Sequence, residues 1–224
     1  MSNNNQIVPI GTSIVYGLPG IGAGYMYLLV NLYIMKFSTD VLLIAPAVMG
    51  VIFSISRIWD AVSDPVAGYL SDRTTFKFGR RRTWILVSFV PISLGFLAVF
   101  SPPASMEGQA LDTWMMFAIL GFYSAMTLFL VPHMALGAEI SDDYHERTKL
   151  FGVRHIGFTF GSILALISMS ILINEEVKPE GNVRQLASNL ALLSVLIMSA
   201  LIIFSVSRLK ERPEYQNRVN KNPF

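Results

Sequence analysis

Apolar residues dominate six stretches of the chain, at about 12–37, 41–70, 84–100, 113–140, 150–173 and 186–206. Each is long enough to cross a bilayer as a helix. Their polar positions are scattered, whereas the helices of a soluble bundle would each need a polar face. The pattern therefore predicts an all-α membrane protein: a bundle of six transmembrane helices over 1–206, followed by a polar, basic segment at 207–224. Ser38-Thr39-Asp40 reads as a turn, Pro102-Pro103 ends the third helix, and Pro132 interrupts the fourth. The first helix carries Gly17, Gly20, Gly22 and Gly24 with Pro19, small residues that allow close helix contact or a kink.

The second apolar stretch departs from this pattern. It holds Arg57, Asp60 and Asp64, and then runs into a loop with Arg73, Lys77, Arg80, Arg81 and Arg82. A charge at mid-membrane costs roughly 2.5–3.5 kcal/mol, so three in one helix are expected to face a protein interior or a water-filled cavity. Asp60 and Asp64 are four residues apart and share a face, with Arg57 on the same stripe. Two carboxylates this close resist joint ionisation unless a cation sits between them or one takes a proton, which makes the pair a sensor of Na⁺, Li⁺ or H⁺. Pro65 donates no N–H, which leaves the Ala61 carbonyl without its helical partner and free to coordinate. A structural Arg57–Asp60 ion pair is the competing explanation, and it leaves Asp64 unexplained.

Composition agrees with a membrane protein. The chain is 53% hydrophobic and 14% charged, against about 25% charged in soluble domains. With no cysteine, disulfides and thiolate metal sites are excluded. The first residues lack the basic segment of a signal peptide, so the first apolar stretch is expected to stay in the protein. Of the 17 Lys and Arg, five lie in 207–224, five in the loop between helices 2 and 3, and three around the loop between helices 4 and 5; Lys36, Lys178 and Arg184 lie on the other face. This bias puts both termini and the basic loops in the cytoplasm, in a multi-pass protein of the cell (inner or plasma) membrane. The basic residues gather at membrane edges, so no nucleic-acid partner is expected. The chain shows no nucleophile–base constellation, phosphate loop or metal-ligand cluster, and neither an enzyme nor a resident cofactor is expected.

From Arg57 the sequence reads R-x-W-D-A-x-x-D-P, then G-x-x-x-D-R-T from Gly68, with Asp72 and Arg73, then F-G-R-x-R-x-W with Arg80 and Arg82. This resembles the loop between helices 2 and 3 of the major facilitator superfamily. More narrowly, it resembles the glycoside–pentoside–hexuronide:cation symporters, the group of melibiose permease. The resemblance covers essentially the whole chain. It implies a twelve-helix fold in two halves, of which this chain is the N-terminal six, with the remaining six-helix half as partner. It also implies that Asp60 and Asp64 bind the coupling cation, that Ser63 stands where an amide often does, and that Thr127, counted from Pro132, contributes an oxygen. The acidic residues that grip sugar in melibiose-permease-like proteins fall at Gly24 and Leu130 here, so both carboxylates are missing. A helix 5 arginine that contacts substrate is matched by Arg154, one residue out of register.

Tyr27 and Asn31 are candidates for the solute cavity beside Arg154 and Gly24, although tyrosines in such helices often serve packing. Arg154 could instead reach the headgroups, being one turn into its helix. Glu139 is read as a partner of the basic loop in a cytoplasmic gate or as a solvated helix end, with Arg57, Gly68, Asp72, Arg73, Arg80 and Arg82 as the other gate or structural residues. His133 and His155 lack metal-ligand spacing and read as packing residues. The expected function is cation-coupled symport of a sugar or glycoside by alternating access. The missing carboxylates leave open a lipid-like or other amphiphilic solute, and the chain length leaves open a truncated membrane protein that does not transport.

Overall fold

The computed structural model describes residues 7–74, 76 and 78–212; Lys77 of the basic loop and residues 213–224 lie outside them. The elements are α1 (Ile10–Gly17), α2 (Pro19–Leu32), α3 (Ile34–Lys36), a π-helical stretch (Phe37–Val41), α4 (Pro46–Arg73), α5 (Arg80–Phe100), α6 (Gly108–Ile140), α7 (Tyr144–Glu176) and α8 (Val183–Arg208). The fold is all-α, and no strand occurs among the described residues.

The helices outrun the apolar stretches that announce them. Hydropathy marks only the part that lies in hydrocarbon, whereas the hydrogen-bond ladder continues until something caps it. Asp143 starts α7 by accepting from Glu146 N at 3.0 Å, and Asn182 starts α8 by accepting from Gln185 N at 3.0 Å. The first expected helix is instead divided. Pro19 opens α2 directly after α1, and the π-helical stretch follows α3. The second starts at Pro46, because Leu43 takes φ 60° and Pro46 supplies a first-turn proline.

Among the described residues, five segments are long and apolar enough to span a membrane: Ile10–Leu32, α5, α6, α7 and α8. α4 is not among them. Arg57, Asp60, Asp64, Asp72 and Arg73 dilute its 28 residues below what an apolar span requires. It holds its place by packing on α6 and, more lightly, on α5.

α6 is the central helix and α4 a peripheral one: fourteen of 33 residues are buried in α6, but only five of 28 in α4. α5 packs on α6 and α8, and α2 packs on α7. The α5–α6 seam is aromatic, with Phe96 4.9 Å from Phe100 and 5.6 Å from Phe122 between ring centres. Serine pairs add polar ties in the apolar interior: Ser93 with Ser199 at 3.3 Å, and Ser101 to Ser188 at 2.8 Å. The α2–α7 crossing is backbone on backbone. A Cβ on Gly24 would run into the Phe158 carbonyl and one on Gly161 into that of Ile21, while one on Gly20 would lie 2.8 Å from the Arg154 carbonyl. The small residues of the first span therefore serve close packing.

Orientation is open to a direct test, since the chain lacks cysteine. Phe78 is exposed in the basic loop and Glu107 is exposed at the other end of the bundle. A cysteine at Glu107 is expected to react with an impermeant maleimide on intact cells, and one at Phe78 only after permeabilisation. The reverse pattern overturns the cytoplasmic placement of the basic loops.

Candidate functional site

Arg57 organises the charged stripe of α4. Its Nη2 donates to Asn31 Oδ1 of α2 and to Tyr123 Oη of α6, both at 2.8 Å. The guanidinium carbon lies 4.7 Å from the centre of the Tyr123 ring. Nη1 meets Asp60 Oδ2 at the longer distance of 3.3 Å. Tyr123 donates to Asn31 Oδ1 at 3.3 Å and stands edge-on to Tyr27, with ring centres 6.0 Å apart. Asn31 is fixed in turn by donating to the Tyr27 carbonyl at 2.6 Å. Beside this group, Trp59 donates to Ser124 Oγ at 2.7 Å.

One turn along, Asp64 Oδ1 accepts from Thr127 Oγ1 at 2.8 Å. The two residues lie on different helices, so the register counted from Pro132 brings Thr127 to the carboxylate. Asp60 Oδ1 is buried and has no hydrogen-bond partner. A buried carboxylate oxygen without a partner is costly and calls for a donor or a cation. Ser63 does not supply one: its Oγ turns back to the Asp60 carbonyl at 3.4 Å. The oxygens gathered here suit a hard cation or a proton.

The charged face is open. Arg57 and Asp64 are exposed and Asp60 is half-buried, so the protein interior expected around these charges is not supplied by the described residues.

The basic end of the bundle holds a second cluster. Arg80 Nη2 meets Glu139 Oε1 at 2.8 Å, and Arg81 Nε meets the same oxygen at 3.3 Å. Arg81 also pairs with Asp72 and donates to Ser71 Oγ at 2.7 Å. These side chains are buried, with 8% exposure for each arginine and 13% for Glu139. Glu139 is thus the shared counter-charge of two buried guanidiniums, and no solvated helix end. Arg82 turns away to the Val206 carbonyl at 2.7 Å, and exposed Arg73 lies over the Tyr69 ring at 4.3 Å. Gly68 makes only an ordinary contact, 3.7 Å from a Cβ position to Val131.

The other expected solute residues do not join the α4 stripe. Gly24, expected beside the solute, is buried at the α2–α7 crossing, where the helices are too close for any side chain. Arg154 lies near Tyr16 and His133, and its Nε is buried without a hydrogen-bond partner. His133 is stacked between Tyr16 and Phe129, at 4.5 Å and 5.1 Å, and is held by reciprocal bonds: its Nε2 lies 3.0 Å from the Tyr16 carbonyl, and Tyr16 Oη donates to the His133 carbonyl at 3.1 Å.

Tyr123 and Arg81 are the functional candidates that reading the sequence missed. Tyr123 could have been found, since it stands one turn before Thr127 on the same face of α6. Arg81 had no such signal, because nothing in three consecutive arginines tells which of them meet Glu139 and which turns away, and only the fold selects among them.

The family described as MFS/sugar transport protein matches residues 15–223. The chain belongs to this major-facilitator family. An uncharacterized symporter of Synechocystis sp. is 33% identical over 206 residues, covering 90% of this chain and 37% of that protein. A putative glycoside/cation symporter of Escherichia coli is 30% identical over 162 residues, 70% of this chain and 35% of that one. A sodium-dependent lysophosphatidylcholine symporter of Danio rerio is 31% identical over 150 residues, 66% of this chain and 26% of that one. The chain spans less than half the length of these relatives. The all-α fold is that of a major-facilitator-type half, and the family is one of membrane transporters rather than enzymes.

The two clusters should respond differently to mutation. Glu139→Gln leaves two buried guanidiniums short of a counter-charge, and the expected loss is about 3–5 kcal/mol. Arg57→Ala removes bonds to Asn31, Tyr123 and Asp60 at an exposed position and should cost less, about 1–2 kcal/mol. Denaturant titration of the purified chain in detergent micelles measures both, and equal losses would contradict the burial difference.

Proposed function

We propose that this chain forms the N-terminal half of a cation-coupled symporter that works by alternating access, with the coupling cation held at Asp60 and Asp64. The observation that carries this is the buried, unpartnered Asp60 Oδ1, one helical turn from an Asp64 that Thr127 holds in place. Symporters among the relatives support a coupling cation, and a sodium-dependent one among them supports Na⁺ as one choice. The cation adds a positive charge between the two carboxylates and relieves their repulsion. A proton on one of them does the same. Thr127 Oγ1 is the neutral oxygen at hand.

The open charged face of α4 supports a second half. Charges at membrane depth do not face hydrocarbon. Six further helices packed against this face would enclose Arg57, Asp60 and Asp64 in a cavity between the halves, where family members of this architecture bind their solute. The Glu139 cluster then closes the cavity on the cytoplasmic side.

A sugar or glycoside is the first choice of solute, in line with the family description and the glycoside/cation relative. Arg154 is half-buried, and its guanidinium would donate to a hydroxyl or a carboxylate. An amphiphilic, lipid-like solute is the second choice, favoured by one observation. Of the positions where the resemblance places sugar-gripping carboxylates, Gly24 admits no side chain and Leu130 packs on the apolar core. A lysophosphatidylcholine symporter among the relatives fits that choice.

In a complete transporter carrying this half, Asp64→Asn and Asp60→Asn should each abolish cation-driven accumulation while sparing much of the downhill exchange of solute. Counterflow and gradient-driven uptake in proteoliposomes separate the two activities. If both variants kept the dependence on Na⁺ and on pH, the coupling site would lie elsewhere.

A further inference from the structure

α5 begins with an arrangement that its own sequence cannot stabilise. Its first turn is Arg80-Arg81-Arg82, three cations at the positive end of the helix dipole. No acidic residue stands in that turn, and the residue before it is Gly79, which has no side chain to cap with. The missing anion comes from the far end of the chain. After α8 the backbone becomes extended at buried Leu209, and the Glu211 carboxylate accepts from Arg80 N at 2.8 Å and from Arg82 N at 2.6 Å. Gly79 takes φ +110° against that carboxylate, and a Cβ there would lie 2.6 Å from Glu211 Oε1. Two further contacts fasten the same region. Arg82 reaches the last turn of α8 through the Val206 carbonyl, and Arg212 meets Asp142, on the α6–α7 connection, at 2.7 Å.

We propose that Glu211 is a positioning residue for the Arg80–Arg81–Glu139–Asp72 cluster, and that residues 209–212 are a strap that holds the cluster closed. Neutralising and capping the first turn of α5 keeps Arg80 and Arg81 in helical register, which aims one at Glu139 and the other at Glu139 and Asp72. Released from Glu211, the turn frays and both guanidiniums leave their partners. The strap is also where the chain continues into residues 213–224, so a pull on that segment reaches the cluster first. The strap deepens the proposed gate, but its test involves no transport, so failure of either leaves the other standing.

The chain has no cysteine, so single reporters can be introduced cleanly. Ser71 is fully buried under Arg81, and Ser38 is fully buried at the opposite end of the bundle. Ser71→Cys and Ser38→Cys are labelled with a maleimide in the purified chain, with Glu211 intact, Glu211→Ala or Glu211→Gln. Loss of the cap in Glu211→Ala should speed labelling at position 71 by about tenfold and leave position 38 unchanged. Glu211→Gln keeps the shape without the charge. A rate near that of Ala would assign the hold to charge, and one between Ala and Glu would assign it to charge and hydrogen bonds together. Unchanged labelling at position 71 in both variants overturns the proposal. So does equal acceleration at 71 and 38, which would mean that Glu211 stabilises the whole bundle and not this end.

Discussion

A charged side chain at membrane depth has to be compensated by protein or by a water-filled cavity, because hydrocarbon supplies neither hydrogen-bond partner nor counter-ion. α4, too charged to count as an apolar span, carries Arg57, Asp60 and Asp64, and its surroundings answer to them. Asn31 and Tyr123 come from two other helices to accept from Arg57, and Thr127 comes from α6 to donate to Asp64. α4 thus adds these polar contacts to its packing on α6. The compensation is incomplete on two counts. Asp60 Oδ1 has no partner, and the stripe faces outward from the described residues. Both shortfalls lie on one surface, and a cation together with a second half would remedy both.

The basic end solves the same problem differently. There the charges are buried against one another: Glu139 is shared by Arg80 and Arg81, and Arg81 is shared by Glu139 and Asp72. A buried network of this kind adds little net stability, since desolvation offsets most of the attraction, but it is intolerant of displacement. Intolerance of displacement is what the proposed gate requires. It also explains why α5 must begin at a defined residue, because a shift of one position would turn all three arginines by about 100° and misdirect each of them.

The parts of this protein that depend on local physics were legible in the sequence. Apolar length marks the spans because the bilayer sets a minimum. The four-residue spacing of Asp60 and Asp64 places them on one face because a helix repeats every 3.6 residues. Thr127 came from the family resemblance, placed by counting from Pro132, and the structure puts its hydroxyl on Asp64. The helix ends were less legible, because capping by Asp143 and Asn182 happens in polar segments that hydropathy does not report.

What only the tertiary structure decided was which surface meets which. Depth along a helix can be counted, but rotation towards a neighbour depends on how close that neighbour comes. Gly24 lies at a depth where a solute residue was expected, yet it faces the Phe158 backbone because α2 and α7 touch there. The three arginines before Trp84 look equivalent in sequence, yet the fold sends Arg80 and Arg81 to a shared Glu139 and Arg82 to the Val206 carbonyl. Glu211 lies about 130 residues from the helix that it caps. No local pattern encodes that pairing, because it exists only once α5 and α8 stand side by side.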